Sequence, residues 1–372
     1  MSFIPLQIPP GVYRNGTELQ SAGRWYDANL VRFYENTMRP IGGWRKRSDN
    51  AVTGAARSLI TWKDNSADPW IAVGTNSGLY AMRVDGALAD ITPAGLVVGI
   101  VDAAVFTGYG TGPYGAQAYG VERQSLSTVT PATMWTLDTW GEYLIACSNA
   151  DGKLYEWQLD FATPTVAAAI ANAPTGCNAV MVTAERFVFA LGAGGNPRKV
   201  QWSDQEDNTS WTPSTLNQAG DFELATPGTL MAGKRVRGLN LMWTDVDCHS
   251  AVYIGQPFVY GFEKIGSGCG LISPQSVAIV SDATAIWMSR TGFWMYDGSV
   301  KPLASDVGDY VYRNINNSQA SKTYAVHKGE FGEVWWFYAS VDSNEIDSYV
   351  LYNYREGHWN IGTLARTAGT GR

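Results

Sequence analysis

GLYAMRVDG at 78–86, GKLYEWQLD at 152–160 and GFWMYDG at 292–298 are three stretches of this chain that share one pattern. Each begins with glycine, continues through aromatic and large apolar side chains, and closes on Asp or Asp-Gly. Short apolar runs that end in Gly, Asn, Asp, Ser or Pro are typical of β-strands joined by tight turns. The recurrence of the pattern predicts an all-β chain built from repeated units.

Groups of such runs recur along most of the chain, at 58–93, 133–160, 178–204, 237–265, 276–305 and 323–363. If Tyr80 and Tyr352, which are 272 positions apart, are equivalent in the first and sixth groups, a unit has roughly 54 residues. Four-stranded propeller blades have about 40–50. Sheets arranged around an axis bury each other's faces, with large aromatic side chains in the wedge and glycine where strands crowd. We predict a β-propeller of about six blades over 51–372; a β-sandwich or two smaller all-β domains is the alternative.

Residues 1–50 differ from the repeats and indicate an extended N-terminal arm with short strands. The arm is locally basic and aromatic, although the whole chain is acidic. A loop insertion at 107–120, TGYGTGPYGAQAYG, has no strand pattern. Because Tyr, Trp and Arg dominate binding hot spots, both segments are candidate interaction surfaces; for the arm, packing on its own propeller is the alternative. The candidate residues are Trp25, Tyr26, Arg32, Trp44, Arg45, Arg47, Tyr109, Tyr114 and Tyr119.

Composition excludes several classes of protein. The net charge of −7 argues against a nucleic-acid binder that works by neutralising phosphates. No run reaches the ~18 apolar residues of a transmembrane helix, and LVVGIVDAAVF at 96–106 is interrupted by Asp102. The N-terminus lacks the pattern of a secretory signal. Four scattered cysteines, with no C-x-x-C spacing, indicate reduced, buried thiols made in a cytosol.

Residues that could carry chemistry are few. The three histidines, His249, His327 and His358, show no metal-binding spacing. SNADGKLYEW at 148–157 departs from the sialidase Asp box, and GAGGN at 192–196 precedes no helix start, so it is a weak candidate for phosphate binding. Motifs of serine hydrolases, P-loops and zinc proteases are missing. We therefore predict no catalytic residues, no cofactor and no metal site.

One acidic cluster, in WSDQEDNTSWTPSTLNQAGDFEL at 202–224, is a candidate for a glycosidase pair or a Ca²⁺ site. It contains Asp204, Glu206, Asp207 and Asp221 in a turn-rich stretch between two strands. The cluster lacks EF-hand spacing, and a solvated loop whose Asp and Asn side chains cap turns is the simpler interpretation.

Four long runs resemble a known family. They are PLQIPPGVYRNGTELQSAGRWYDANLVRF at 5–33, VQWSDQEDNTSWTPSTLNQAGDFEL at 200–224, MSRTGFWMYDGSVKPLASDVGDYVYRNIN at 288–316 and EVWWFYASVDSNEIDSYVLYNYREGHWNIGT at 333–363. Together they resemble the tail nozzle (tail tubular protein B-like) proteins of short-tailed bacteriophages. The resemblance spans nearly the whole chain and rests on the number and order of aromatic and glycine patterns.

The resemblance implies a structural virion protein of the tail, made in the host cytoplasm. It implies a propeller subunit in a hexameric ring below the adaptor and portal proteins, with tail fibres or spikes attached to its flank. Viral DNA would leave through the ring without sequence-specific binding, and an acidic or neutral lumen would not retain its phosphates. Family members often continue further than LARTAGTGR at 364–372, which has no strand pattern. The propeller therefore closes with an N-terminal strand, or a C-terminal part is missing.

Two other functions remain open at this point. One is a carbohydrate-binding or carbohydrate-cleaving propeller, a lectin or a glycosidase, which would need paired carboxylates or exposed Trp at the propeller mouth. The other is an intracellular interaction propeller.

Overall fold

A computed structural model describes residues 8–48, 50–105, 129–160 and 165–371 of the chain. Over these residues the chain forms six four-stranded antiparallel sheets, each with its strands in sequence order. Two further sheets have two strands each. In four of the six neighbouring pairs of these sheets the first strands lie side by side, which places the first strands around a common axis.

The N-terminal arm precedes the first four-stranded sheet. It contains a short 3-10 turn at Glu18–Ser21 and a hairpin of β1 (Val31–Tyr34) and β2 (Thr37–Pro40). All four residues of β2 are exposed.

The first three blades follow. Blade 1 contains β3 (Ala56–Lys63), β4 (Pro69–Thr75), β5 (Leu79–Arg83) and β6 (Leu88–Asp90). A two-stranded sheet of β7 (Ala104–Val105) and β8 (Val129–Thr130) separates it from the next blade. Blade 2 contains β9 (Trp135–Trp140), β10 (Tyr143–Ser148), β11 (Leu154–Trp157) and β12 (Ala168–Ala169). Blade 3 contains β13 (Ala179–Val182), β14 (Val188–Leu191), β15 (Lys199–Trp202) and β16 (Gly220–Glu223), with a 3-10 turn at Ala193–Gly195.

The remaining blades complete the ring. Blade 4 contains β17 (Leu230–Val236), β18 (Leu239–Thr244), β19 (Cys248–Gly255) and β20 (Val259–Gly266). Blade 5 contains β21 (Val277–Ser281), β22 (Thr284–Met288), β23 (Phe293–Tyr296) and β24 (Val300–Leu303). The helix α1 (Gly308–Asn314) and a 3-10 helix (Asn317–Lys322) lead to blade 6, which contains β25 (Tyr324–Lys328), β26 (Glu333–Tyr338), β27 (Ser348–Asn353) and β28 (His358–Thr363).

The chain is an all-β protein with a six-bladed β-propeller arrangement, as the sequence predicted. Tyr80 and Tyr352 both lie on third strands, in β5 and β27. Strand register, however, makes Tyr80, which pairs with Val73, equivalent to Tyr349, which pairs with Phe337. From blade 2 onward, first strands begin 44 to 51 residues apart, and the longest step, 79 residues, separates blades 1 and 2. None of the helices in the described ranges is long and apolar enough to cross a membrane.

The six predicted groups of runs match the blades but omit three strands. The fourth strands β12 and β16 were not recognised, because β12 is two exposed alanines and three of the four β16 residues are exposed. The first strand of blade 4, β17, was also outside the predicted groups. An apolar pattern cannot mark a strand whose side chains face solvent.

Five of the six blade-to-blade interfaces hold an apolar core built from both blades. Between blades 1 and 2, Trp135 of β9 lies over Gly74 of β4, where a Cβ atom would be 2.5 Å from the indole Cγ. The Trp135 indole N–H donates to the carbonyl oxygen of Thr75 at 2.7 Å. Because the donor is satisfied, the large ring can fill the wedge fully buried.

The sixth interface, between blades 6 and 1, has a different composition, and we call it the seam. The blade 6 face on this side carries the buried side chains of Trp335, Phe337 and Tyr349. Among the described residues, the further apolar groups packed against this cluster are Ile41 of the arm and Leu364 after β28. The arm and the segment after β28 thus cover a face that a neighbouring blade covers elsewhere.

Charged side chains connect the two blades at the seam. The buried Arg57 of β3 donates to both carboxylate oxygens of Glu345, each at 2.8 Å, and to the carbonyl oxygen of Val101 at 2.9 Å. The buried Lys322 ammonium lies 2.5 Å from a carboxylate oxygen of Asp102 and 3.9 Å from Glu345. Two buried cations and two carboxylates therefore form one network across the seam.

The arm packs on blade 6, and it does not add a strand to any of the six blades. Its strands β1 and β2 pair with each other. Val12 donates its amide to the carbonyl oxygen of Trp359 on β28 at 2.7 Å, and Asn360 donates its side-chain amide to the carbonyl oxygen of Val31 at 2.7 Å. Closure by an N-terminal strand, one of the two alternatives, does not occur within the described residues, because all four strands of blade 6 come from 324–363.

Candidate functional site

The axis of a propeller is its usual concave site, and we call the end where the first strands begin the upper end. At this end Gln275, which precedes blade 5, crosses the axis. Its side-chain amide donates to the carbonyl oxygen of Trp135 in blade 2 at 2.6 Å and to the hydroxyl of Ser58 in blade 1 at 3.2 Å. In a ring of six, blades 2 and 5 are opposite each other. The side chain of Gln275 therefore spans the upper mouth of the axis.

The lower end of the axis carries charges that are already paired. Asp138 of β9 accepts from Arg235 of β17 at 3.1 Å and from the amide of Val182 of β13 at 2.8 Å. Burial lowers the pKa of the neighbouring Lys234, and the charge of Asp138 partly opposes that effect. These contacts join blades 2, 3 and 4.

The acidic cluster predicted at 202–224 lies in and after the connection between β15 and β16. Asp204 accepts from the amides of Gln205 and Gln218, both at 2.8 Å. Asp207 accepts from the amide and hydroxyl of Thr209, and these bonds lower its pKa. Each carboxylate thus has its own partner, as in a capped loop.

The other acidic residues of the loop form ion pairs. Glu206 pairs with Arg186 at 3.2 Å and Asp221 pairs with Lys199 at 3.1 Å. Within the described part of the chain, His, Cys, Asp and Glu side chains form no group of three that could hold a metal ion.

The three histidines contact neighbouring side chains, and the four cysteines are buried. His249 contacts Thr226, His327 contacts Tyr354 and His358 contacts Glu356, at 3.0 to 3.2 Å. Burial lowers the pKa of all three imidazoles. The four cysteines are buried free thiols, and burial raises the pKa of each thiol.

The predicted arm residues separate into buried and exposed groups. Trp25 and Tyr26 are half-buried, and Trp25 packs against Phe33 in the core shared by blades 5 and 6. Trp44 is 55% exposed and lies under the guanidinium of Arg366, whose Cζ is 4.4 Å from the ring centre. Arg45 and Arg47 are exposed.

Arg32 was predicted as an interaction residue and lies inside the protein. Its guanidinium donates to both carboxylate oxygens of Glu333 on β26, at 2.6 and 2.8 Å, and lies over the ring of Phe331. The Trp335 indole donates to the same carboxylate at 2.8 Å. Burial, reinforced by the charge of Arg32, lowers the pKa of the nearby Lys328 to about 8. This cluster fixes the arm to blade 6.

Tyr109, Tyr114, Tyr119 and the loop insertion 107–120 lie outside the described residues. Sequence reasoning did not identify Gln275 or the seam cations. The sequence around Arg57 could have indicated its burial. A lone arginine inside the strand run AARSLITW at 55–62 predicts a buried charge with a partner.

No family model and no curated protein matches the chain. Among solved structures it is similar to a virginiamycin B lyase from Staphylococcus aureus, with 8% identity, a TM-score of 0.43, and coverage of 84% of this chain and 95% of that one. A fungal alcohol oxidase in complex with copper has 11% identity, a TM-score of 0.45 and coverage of 85% and 66%. The extracellular domain of a hybrid two-component system from B. thetaiotaomicron has 12% identity and a TM-score of 0.38; 85% of this chain matches 39% of that one.

This chain therefore spans about two fifths of the two-component domain and about two thirds of the oxidase. Identities this low, with TM-scores below 0.5, carry no argument about function. The class of protein is defined by the strand pairing itself, a six-bladed propeller with an N-terminal arm packed on its last blade.

Proposed function

We propose that this chain is a structural virion protein, a subunit of the tail nozzle ring of a short-tailed bacteriophage, and not an enzyme. The observation that carries a structural role is the placement of Gln275 across the upper mouth of the axis. The place where a propeller offers a concave site is taken up by the protein's own side chain. Exposed aromatic and basic residues such as Trp44, Arg45 and Arg47 lie on the flank instead.

The phage assignment is supported by the sequence runs that resemble the nozzle family. Three of them, at 5–33, 288–316 and 333–363, meet in a single apolar core. That core includes Val12 and Phe33 of the arm, Phe293 and Val311 of the second run, and Trp359 of the third. Segments far apart in sequence that build one core are expected to be retained together in a family.

In this proposal six copies form a ring below the adaptor and portal proteins, in the tail of the virion, and tail fibres or spikes attach to its flank. Viral DNA passes through the lumen of the ring, not along the axis of one propeller. The net charge of −7 favours passage, because acidic walls do not bind phosphates.

Electron microscopy of purified virions tests the proposal. Particles in which this chain carries a C-terminal tag are labelled with an antibody against the tag and averaged around the tail axis. We expect label and density in a six-fold ring between the adaptor and the distal end of the tail. Particles from an untagged strain are the control for the label. A chain that is absent from the particle, or that lies off the tail axis, would sink the proposal.

The carbohydrate alternative has one feature in its favour, a cavity of about 320 Å³ at the outer edge of blades 2 and 3. Its lining includes the polar side chains of Glu156, Gln158 and Asn208. A glycan array and a hydrolysis assay with wild type and the variants Asp204→Ala, Asp221→Ala and Glu156→Gln test it. Binding or hydrolysis that disappears in these variants would favour this function over the nozzle.

A further inference from the structure

One exposed segment of the arm is strongly basic. Residues 37–48, TMRPIGGWRKRS, carry Arg39, Arg45, Lys46 and Arg47 and no acidic residue; we call them the basic strap. The strap begins as the exposed edge strand β2 and presents Trp44 to solvent. It runs from blade 6, where Ile41 is packed, to the turn between β5 and β6 of blade 1. There the carbonyl oxygen of Arg47 lies 2.5 Å from where a Cβ atom on Gly86 would be.

A segment of opposite charge lies on blade 3. Residues 203–223 contain five carboxylates and no lysine or arginine; we call them the acidic loop. Three neighbouring cations, Arg186, Arg198 and Lys199, pair with three of the five carboxylates, which leaves a net negative surface. The loop also exposes two apolar side chains, Leu216 at 95% and Phe222 at 41%.

The two segments lie at the same end of the propeller and on different sides of it. The β5–β6 turn beside the strap and the β15–β16 connection that forms the acidic loop both join a third strand to a fourth strand, so both lie at the lower end. The strap lies along blades 6 and 1, whereas the acidic loop lies on blade 3, and blade 2 separates blades 1 and 3. The strap cannot reach the acidic loop of its own chain across the propeller.

We propose that the basic strap of one copy docks on the acidic loop of a second copy of this chain. Two complementary surfaces on different sides of one subunit make a heterologous contact, and such a contact at constant height generates a closed ring when its rotation closes. Opposite charges supply steering and orientation, and Trp44, Leu216 and Phe222 supply apolar area at the contact. The inference rests on the proposed ring and assigns its subunit contact.

Charge reversal in the purified full chain tests the contact, with the assembly state measured by mass photometry over a concentration series. Arg45→Glu with Arg47→Glu reverses the strap, and Glu206→Lys with Glu223→Lys reverses the loop. Each pair is expected to raise the subunit dissociation constant at least about tenfold. A chain that carries all four substitutions is expected to regain assembly. Arg290→Glu with Arg313→Glu, on an exposed surface near blade 5, makes the same charge change and is the matched control.

A cross-link gives an independent measurement. Because the four native cysteines are buried, Arg45→Cys combined with Glu206→Cys introduces the accessible thiols. Oxidation of the assembled chain is expected to give a ladder of covalent oligomers, and either single variant should stop at dimers.

Rings that withstand both charge reversals would overturn the docking and leave the nozzle proposal standing. A wild-type chain that stays monomeric at every concentration would overturn the docking as well, and microscopy of the virion decides the nozzle proposal separately.

Discussion

Blade 1 is joined to its two neighbours by different chemistry. Toward blade 2 it shares an apolar core in which Trp135 covers Gly74. Toward blade 6 it is joined through Arg57, Glu345 and the Lys322–Asp102 pair, with the arm and the segment after β28 covering the apolar face. An apolar core gains stability in proportion to buried area, whereas a buried charge network gains little net stability but tolerates only one arrangement of its partners. We infer that the core holds the blades together and the seam determines how the ring closes.

Removal of Trp135 should produce the largest effect. Trp135→Ala leaves a cavity between blades 1 and 2, and we expect the free energy of unfolding to fall by about 3–5 kcal/mol. Urea unfolding followed by far-UV circular dichroism measures it. Leu19→Ala, at a position of the arm that is 89% exposed, is the control and should stay within about 0.5 kcal/mol of wild type. Equal losses in both variants would contradict the assignment of stability to the core.

Loss of the Glu345 charge should have the next largest effect. Glu345→Gln leaves the buried cations Arg57 and Lys322 with one carboxylate, Asp102. Breaking a fully buried pair costs about 3–5 kcal/mol; because the Glu345 side chain is 39% exposed, we expect about 2 kcal/mol.

Hydrogen exchange shows where Glu345→Gln acts. Faster exchange should be confined to 91–103 and 316–323, the segments beside the seam. Asp282→Asn, which removes an exposed pair with Arg237, is the control and should cost at most about 1 kcal/mol. A uniform increase of hydrogen exchange across all blades would show that the effect of Glu345→Gln is not confined to the seam.

A methyl group at Gly74 tests how tightly the apolar core is packed. Gly74→Ala places its Cβ against the Trp135 indole, so we expect a loss of about 1–2 kcal/mol of unfolding free energy. Gly43→Ala has no atom within 4 Å of the new Cβ and should be close to neutral in the same urea titration. A neutral Gly74→Ala would show that blades 1 and 2 separate easily.

Acidification should weaken the seam by a fraction of the Glu345→Gln effect. Burial alone would raise the pKa of Glu345, but hydrogen bonds from Arg57 and the Ile346 amide, with the charges of Arg57 and Lys322, bring it below its usual value of 4.5. The unfolded chain therefore takes up the proton first. The stabilisation that the ionised Glu345 contributes is complete above pH 4.5. It is lost as the pH falls through the pKa of Glu345 in the folded chain.

The difference in unfolding free energy between wild type and Glu345→Gln should accordingly be constant above pH 4.5 and shrink below it. Urea titrations of both chains at each pH measure it. A difference that grows on acidification would mean that folding raises the pKa of Glu345 and does not lower it.

The sequence predicted the blades because their buried strands follow the local apolar pattern. The glycine-aromatic motifs at 78–86 and 292–298 include third strands of blades 1 and 5. Strands such as β16 were missed because their side chains face solvent and resemble a loop. Local pattern therefore predicts a strand only when the strand is buried.

The sequence could not predict much of the candidate site, because its residues contact partners that are far away in the sequence. Arginine is usually found at the protein surface, and the burial of Arg32 depends on its ion pair with Glu333, 301 positions later. Gln275 has no neighbouring motif, and its importance comes only from the position of Trp135 across the axis. Nothing local in the sequence encodes which residues meet at an axis or a seam.

The buried pair of Arg32 and Glu333 also has a consequence for the order of events during synthesis. The arm leaves the ribosome before any blade, but its partners on β26 and β28 belong to the last of the six blades to be made. Until then, the arm has no blade 6 to bind, and the blade 5 face around Ile286 and Phe293 stays uncovered. The nascent chain therefore passes through a stage with an open, apolar flank, in which premature association with other chains is the main hazard. Docking of the arm ends that stage.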